Sequence, residues 1–246
     1  MEEINRLLNY KDLKIVQNTD WFKFSIDSVL LSNFVKITKN TTNIIDFCTG
    51  NAPIPLILST KTIANITGVE IQKDVYNLAK KSIEINNFQD RIEILNMDVK
   101  DIAQKYESDS FDLITCNPPY FKLKESSIIN DNDIKSVARH EIKLNLNDIF
   151  SCAKKILKNG GSIYMVHRTE RLLEILNIMQ KNNIMPKRIC FIYPFEDADS
   201  NMVLIEGRKN GNLGMKITKP IIVHEKSGKY TKLINDIFDG GLEIWE

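Results

Sequence analysis

The chain has 246 residues, a formal net charge of +1, and 43% hydrophobic against 26% charged residues. That length is enough to bury a full core as one α/β domain with a modest appendage, and two large domains are not expected. The composition is that of a soluble globular protein without a membrane-spanning apolar run, and near-zero net charge leaves any nucleic-acid binding to a local patch.

Met1-Glu2-Glu3-Ile4 lacks the basic start and apolar stretch of a signal peptide. The four cysteines, Cys48, Cys116, Cys152 and Cys190, are widely spaced with no C-x-x-C pair, so reduced thiols, a cytoplasmic location and no metal knot are expected. Residues 1–40 open with mixed polar sequence and then give the stretch Trp21 to Val35, in which Ser25 or Asp27 can N-cap a helix with its apolar face at Val29, Leu30, Phe34 and Val35. Asn43 to Phe47 reads as a short strand running through Cys48-Thr49-Gly50-Asn51-Ala52 into a helix with Pro53 and Pro55 in its first turn. Such a turn lets backbone approach a ligand, and the helix start directs N–H groups at it. Ala52 is tolerable there if its φ stays negative. Eighteen residues beyond Gly50, the stretch Ala64 to Glu70 forms a second strand ending in an acid. An acid at the end of the second strand of a βαβ unit can accept both ribose hydroxyls of a nucleoside. A helix over 73–87, apolar at Val75, Leu78, Ala79 and Ile83, leads to a strand over 91–97 and then Asp98-Val99. Asp98 can also cap a helix beginning near Lys100-Asp101, and both roles fit one side chain only if Asp101 supplies the cap. Strands and helices alternating at this spacing give a mostly parallel sheet with ligand at the carboxyl ends of the strands.

The strand Asp112 to Cys116 ends in Asn117-Pro118-Pro119-Tyr120-Phe121. Proline fixes its own φ and keeps the residue before it out of the helical region, so this strand end is stiff and extended. It presents two acceptors, the Asn117 side-chain oxygen and the Pro118 carbonyl, beside the face of Tyr120. A planar amine with two N–H donors, such as adenine N6, matches that arrangement. The motif resembles the amino-group methyltransferases that use S-adenosylmethionine (SAM). The resemblance implies a Rossmann-like class I SAM-dependent methyltransferase fold, with Asn117, Pro118 and Tyr120 catalytic. It further implies that Asp46, Gly50, Glu70 and Asn117 hold the cofactor, that a segment carrying Asp27 and Ser28 closes over its methionine end, and that Asp98 accepts from the adenine amino group while the N–H of Val99 donates to the ring. Those relatives usually have glycine where this chain has Ala52.

Residues 122–137 are polar and aperiodic and are expected to form a mobile loop at the target pocket. A helix over 146–157 should close at Asn159-Gly160-Gly161, a C-cap signal, and a strand over 162–166 then presents His167-Arg168. A helix through Leu172, Leu173, Leu176 and Met179 follows, then two strands, 188–193 and 202–206, expected to pair as an antiparallel edge. In the C-terminal extension, 208–246, the spacing gives a short strand, a turn at 227–229 and a helix over 233–238. With no internal repeat or linker, 1–246 reads as a single domain, residues 1–40 covering the cofactor site. Lys122, Arg139, His140 and Arg168 near the strand ends are candidate RNA contacts, and three histidines make a metal site unexpected.

Taken over nearly the whole chain, Phe24-Ser25-Ile26-Asp27 with Val29-Leu30-Leu31, Asn117 to Phe121, Ala138-Arg139-His140-Glu141, Met165 to Arg168 and Asn201 to Gly207 are similar to the bacterial tRNA1(Val) (adenine-37-N6)-methyltransferase family. That resemblance implies SAM as donor, the adenine immediately 3′ of the anticodon of a tRNA as acceptor, and a seven-stranded sheet with its last strand antiparallel; neither a membrane nor an oligomer is implied. Two other readings share the motif or the fold. Glutamine N5-methyltransferases of protein release factors grip a planar amide with the same four residues but typically add a helical N-terminal domain, for which the roughly forty residues before the first βα unit are few. A non-catalytic SAM-fold RNA-binding module has no need of Asn117, Glu70 and Asp98 together.

Overall fold

The computed structural model describes residues 1–10, 12–19, 25–119 and 144–240. In chain order these form β1 (Glu2–Arg6), β2 (Lys14–Asn18), α1 (Ile26–Phe34), β3 (Asn43–Phe47), α2 (Pro53–Ser59), β4 (Asn65–Glu70), α3 (Lys73–Ile85), β5 (Ile92–Asn96), a 3-10 turn (Val99–Asp101), α4 (Ile102–Lys105) and β6 (Phe111–Cys116). After them come α5 (Leu146–Ile156), β7 (Leu157–Arg168), a 3-10 turn (Thr169–Arg171), α6 (Leu172–Lys181), β8 (Ile184–Tyr193), β9 (Met202–Lys209), β10 (Lys216–Ile217), β11 (Ile221–Ile222) and α7 (Lys232–Phe238).

The seven longer strands β3 to β9 line up as β5-β4-β3-β6-β7-β9-β8, all parallel except β9, which runs antiparallel to both of its neighbours. The expected antiparallel pair is there, with β9 slotted between β7 and β8 so that β8 lies outside it. Two-residue strands β10 and β11 then run parallel along the outer edge of β8, which makes the sheet nine-stranded rather than seven-stranded. Strand order reverses between β3 and β6, and in an open α/β sheet the crevice at the carboxyl ends of such a pair is where ligands bind.

Side chains alternate across each strand, so the sheet feeds two cores. Ile44, Ile66, Leu113, Tyr164 and Leu204 pack with α1, α2, α3 and α7 on one face. Ile45, Val69, Ile114, Ile163 and Val203 pack with α4, α5 and α6 on the other. Helix α5 starts with a capping box, Asn145 Oδ1 accepting from the Asp148 N–H at 3.0 Å and Asp148 Oδ2 from the Asn145 N–H at 3.2 Å. Its end differs from expectation, because Leu157 already begins β7 and Asn159-Gly160-Gly161 lies inside that strand. There the register against β6 shifts between Phe111 and Leu113, Gly160 takes φ +76°, and Gly161 runs close to the carbonyls of Lys158 and Asp112. The glycines serve a strand irregularity instead of a helix cap.

Residues 2–6 and 14–18, in mixed polar sequence to which no element was assigned above, form the β1–β2 hairpin. Its supports are distant in sequence: the Val16 N–H donates to Ser82 Oγ of α3 at 2.9 Å, and Asn51 Nδ2 donates to the Val16 carbonyl at 3.0 Å. At the other end of the chain α7 buries Ile234 and Ile237, and Tyr10 Oη donates to the Ile237 carbonyl at 2.7 Å. Helix α1 is clamped at its carboxyl end by the buried Arg188. That guanidinium bonds the Phe34 carbonyl at 2.6 Å, lies 4.0 Å from the Phe34 ring centre and pairs with Glu206 at 2.8 Å. Lys61 adds bonds to the Ser32 carbonyl at 2.9 Å and Asn33 Oδ1 at 2.8 Å. No helix among the described residues is long and apolar enough to cross a membrane.

Candidate active site

Four strand ends converge on the crevice between β3 and β6. The β3–α2 loop is the first wall, with Cys48, Gly50 and Ala52 at φ +58°, +59° and +70°. Ala52 therefore does not keep the negative φ expected of it. It is the left-handed N-cap of α2, and its Cβ carries a steric cost of about 1–2 kcal/mol that glycine would not. Gly50 faces open space among the described residues, with none of their atoms within 4 Å of where a Cβ would stand. Gly68 on β4 is needed for the opposite reason. A Cβ there would come 2.8 Å from Ile94 and 2.9 Å from Thr49, so its absence lets the loop fold back over β4, where the Thr49 N–H reaches the Val69 carbonyl at 3.0 Å.

Asp46, at the end of β3, is fully buried. One carboxylate oxygen accepts from Thr115 Oγ1 of β6 at 2.6 Å; the other, Oδ2, and the buried Thr49 Oγ1 are near enough for the hydroxyl to stabilise the carboxylate, but neither makes a well-formed hydrogen bond among the described residues. Burial drives the Asp46 pKa up to about 7, with the Thr115 and Thr49 hydroxyls opposing the rise and the charge of Glu70 adding to it. Glu70 is buried too, and its two oxygens hold backbone: Oε2 accepts from the Gly50 N–H at 3.1 Å and Oε1 from the Gln72 N–H at 2.8 Å. At the end of β5, Asn96 Nδ2 bonds the Glu70 and Ile71 carbonyls, and Asp98 Oδ1 accepts from the Lys100 N–H at 2.9 Å. The cap of this turn thus belongs to Asp98 and not to Asp101, while Asp98 Oδ2 lies 3.4 Å from Lys100 Nζ. Val99 beside it is buried.

Asn117 follows β6, one residue past the Cys116 that registers with Phe47 of β3 and Met165 of β7. It shares the α1-side parity of Leu113 and Thr115, and its Nδ2 donates to Ser28 Oγ of α1 at 2.9 Å. Pro118 is buried behind it. Asp27, one residue before Ser28, accepts from Ser25 Oγ at 3.2 Å through Oδ2. Arg168 ends β7, the strand next to β6, and its N–H donates to Nδ1 of the buried His167 at 2.8 Å. Burial, reinforced by the nearby Arg171 charge, pushes the His167 pKa down to about 4, so this imidazole is neutral near pH 7. Tyr120, Lys122, Arg139, His140 and the loop 122–137 lie outside the described residues. The structure thus bonds Gly50 to Glu70, brings Asp46 near enough for its carboxyl to feel the Glu70 charge, sets Asp98 on the adjoining strand end and connects Asn117 to Ser28. Sequence reasoning missed Thr115 as the partner of Asp46; the clue was its parity with Asn117, two residues on along the same strand.

A sheet of this order, with acids ending β3 and β4 around a tight loop, defines the class I SAM-dependent methyltransferase fold. Residues 25–183 match the family described as "Methyltransferase small domain", and the chain belongs to that family. It is similar to a tRNA1(Val) (adenine(37)-N6)-methyltransferase of Parabacteroides distasonis, 25% identical over 95% of this chain and 98% of that one. A protein of the same name from Haemophilus influenzae is 30% identical over 61% of this chain and 64% of its own. Among solved structures, a predicted O-methyltransferase of Agrobacterium tumefaciens superposes with a TM-score of 0.69 at 20% identity, covering 87% of this chain and 96% of that chain. Geranyl diphosphate C-methyltransferase from Streptomyces coelicolor A3(2), solved with S-adenosyl-L-homocysteine, superposes at 0.56 and 11% identity, covering 75% of each. Both superpositions are likenesses of fold.

The site fits SAM on its own chemistry. Asp46 Oδ2 and Thr49 Oγ1, close to each other but without a well-formed hydrogen bond, lie beside the Gly50 loop as buried oxygens suited to a ligand carrying an ammonium group, and buried polar atoms with unused capacity are rare in native proteins. The open space over Gly50 leaves room for a close backbone approach.

Proposed function

We propose that the chain transfers a methyl group from SAM to N6 of adenine 37, next to the anticodon of a tRNA of the tRNA1(Val) type. The observation that carries this reading is the Asn117 carboxamide, fixed at the stiff end of β6 in the crevice between β3 and β6. Two relatives named for that reaction, one aligned end to end, supply the substrate. Asp46, the Gly50 loop and Glu70 would hold the cofactor, with Val99 at its adenine and Asp27 at its methionine end; since Asp98, not Asp101, makes the cap, through Oδ1, only its second oxygen would be left to meet the adenine amino group. Bound there, SAM supplies an electrophilic methyl group.

The exocyclic nitrogen is a poor nucleophile because its lone pair is delocalised into the ring. Asn117 Oδ1 and the Pro118 carbonyl each accept one of its two N–H bonds, which draws the nitrogen toward tetrahedral geometry and aims its lone pair at the methyl; as the N–C bond forms the S–C bond breaks, and the methylated nitrogen then sheds its extra proton to solvent without a general base. This is catalysis by positioning and preorganised acceptors. Tyr120 stacks on the base, and Lys122, Arg139, His140 and Arg168 take RNA phosphates, which makes binding weaken with salt. An adenine in an anticodon loop is already unpaired, so bringing it into the pocket costs less than extracting it from a duplex. A cytoplasmic location goes with action on tRNA.

The test is incubation of the purified chain with labelled SAM and three acceptors: bulk tRNA lacking its own N6-methyl mark, a release factor, and unmethylated duplex DNA. Label recovered from tRNA as N6-methyladenosine is the expected result. Label in the release factor instead would replace the substrate while keeping the pocket chemistry.

A further inference from the structure

We infer that Gln17 recognises the methionine carboxylate of SAM: its buried, unpartnered side-chain NH2 stands one residue beyond the point where Asn51 of the β3–α2 loop ties down strand β2. The inference rests on SAM as the cofactor, whatever the methyl acceptor. It goes beyond the contacts assigned above, which come from strand ends, the Gly50 loop and α1.

Most buried polar atoms in a native protein are hydrogen-bonded, and each exception asks for a reason. Among the described residues three buried side-chain atoms lack a well-formed hydrogen bond: Asp46 Oδ2, Thr49 Oγ1 and Gln17 Nε2. The first two are oxygens beside the Gly50 loop and suit an ammonium group. The third is of the opposite kind, since a carboxamide nitrogen only donates, and an anionic oxygen is the acceptor it binds most strongly. The methionine end of SAM carries one ammonium and one carboxylate, so it supplies a partner of each kind.

Strand β2 carries the amide to the ligand edge of the sheet. It starts beside the far end of α3, where the Lys14 N–H donates to Asn86 Oδ1 at 2.9 Å and Asn86 Nδ2 donates to the Lys14 carbonyl at 2.6 Å, and it runs back along that helix past Ser82. Helix α3 leaves the carboxyl end of β4, so a strand antiparallel to it climbs toward the edge where ligands bind. There Asn51 Nδ2 donates to the Val16 carbonyl at 3.0 Å, which joins the strand to the residue next to Gly50. Gln17 comes next. Its side chain shares the inward parity of Ile15, which packs into the core with α1 and α2, and the residue is 5% exposed. Its Oε1 is engaged, accepting from Asn5 Nδ2 at 3.3 Å across the hairpin, which leaves the NH2 as the end with capacity to spare. The hairpin thus gives the N-terminal segment, expected to cover the cofactor site, one definite contact there.

The experiment measures by calorimetry the Kd of SAM and of decarboxylated SAM, which keeps the sulfonium and the ammonium but lacks the carboxylate, on full-length wild type, Gln17→Met and Gln17→Glu. Wild type should bind SAM at least about tenfold more tightly than the analogue, as for one hydrogen bond to a charged group. Gln17→Met, of similar volume, should weaken SAM about tenfold and leave the analogue within about twofold, which also reports an intact fold. Gln17→Glu sets like charge against the carboxylate and should weaken SAM further while binding the analogue no less tightly. Equal weakening of both ligands in Gln17→Met would overturn the inference and make Gln17 a support of the hairpin alone. An unchanged SAM Kd in that variant, or a wild type that binds the two ligands alike, would overturn it as well. A protein that binds SAM in this way but transfers no methyl group to tRNA would be a failure of the proposed acceptor and would leave the assignment of Gln17 standing.

Discussion

On the face carrying α1, α2 and α3, strands β3 and β6 change character along their length, from Ile44 to Asp46 and from Leu113 through Thr115 to Asn117. One residue out of phase, the same strands present Ile45 and Phe47, Ile114 and Cys116 to the layer of α4, α5 and α6, apolar to the last residue. Both faces are buried, so exposure does not separate them. What does is that polar atoms on the first face converge on the crevice with their bonding capacity partly unused, as Asp46 Oδ2 shows. A two-residue period thus lets two adjacent strands serve chemistry with one set of side chains and cohesion with the other.

The sharpest way to break that comparison is to cut the cohesive face. Phe47→Ala, at a fully buried ring, is expected to lower unfolding free energy by about 3–5 kcal/mol in a urea titration, with SAM affinity of the folded fraction retained. Equal loss of SAM affinity would mean that the two faces are not separable. Asn117→Ala should do the reverse, cutting methyl transfer by roughly 10²–10³-fold, as for loss of one preorganised donor or acceptor, while thermal stability stays close to wild type.

Asp46 gives the next effect, and its sign is fixed. A carboxyl whose pKa stands near 7 in the folded chain, against 3.8 ordinarily, favours folding while it is protonated. That contribution is complete below about pH 4 and is lost as pH rises toward 7. At about 1.4 kcal/mol per pKa unit it amounts to a few kcal/mol at most. Without cofactor, wild type should therefore lose stability from pH 4 to 7 relative to Asp46→Asn; parallel pH profiles of the two proteins would show that the carboxyl ionises normally. The smallest effect belongs to Ala52→Gly, where relief of the positive φ is offset by loss of a buried methyl group and by a more flexible unfolded chain. The net change should stay within about 1 kcal/mol in a melting experiment, whereas Ala52→Val should cost distinctly more.

Much of this was legible in the chain. The strand–turn–helix at Gly50, the acid ending β4 and the Asn117-Pro118-Pro119 stop are local patterns, each readable within a dozen residues, and together they mark the carboxyl edge of a parallel sheet. The hairpin over residues 2–18 escaped because its pattern is weakly alternating and its supports, Ser82 and Asn51, lie far along the chain. Gly160 was misplaced because a positive φ serves a helix end and a strand irregularity alike, and only pairing with Phe111 and Leu113 tells them apart. Asp98 and Asp101 both had the chemistry of a cap, and the path of the backbone chose between them.

The amino-acid order alone established which groups stand at the strand ends and that a planar amine is the chemistry they suit, since those follow from proline stiffness, hydrophobic period and the donor and acceptor inventory of each side chain. Their working state was left to the assembled sheet. The raised pKa of Asp46 needs its burial in the assembled sheet and the charge of Glu70 on a neighbouring strand, the left-handed Ala52 needs the loop folded back over Gly68, and the Asn117 side chain meets Ser28 on a helix 89 residues earlier. Burial and through-space contact are properties of neighbours in space, and no local pattern encodes them.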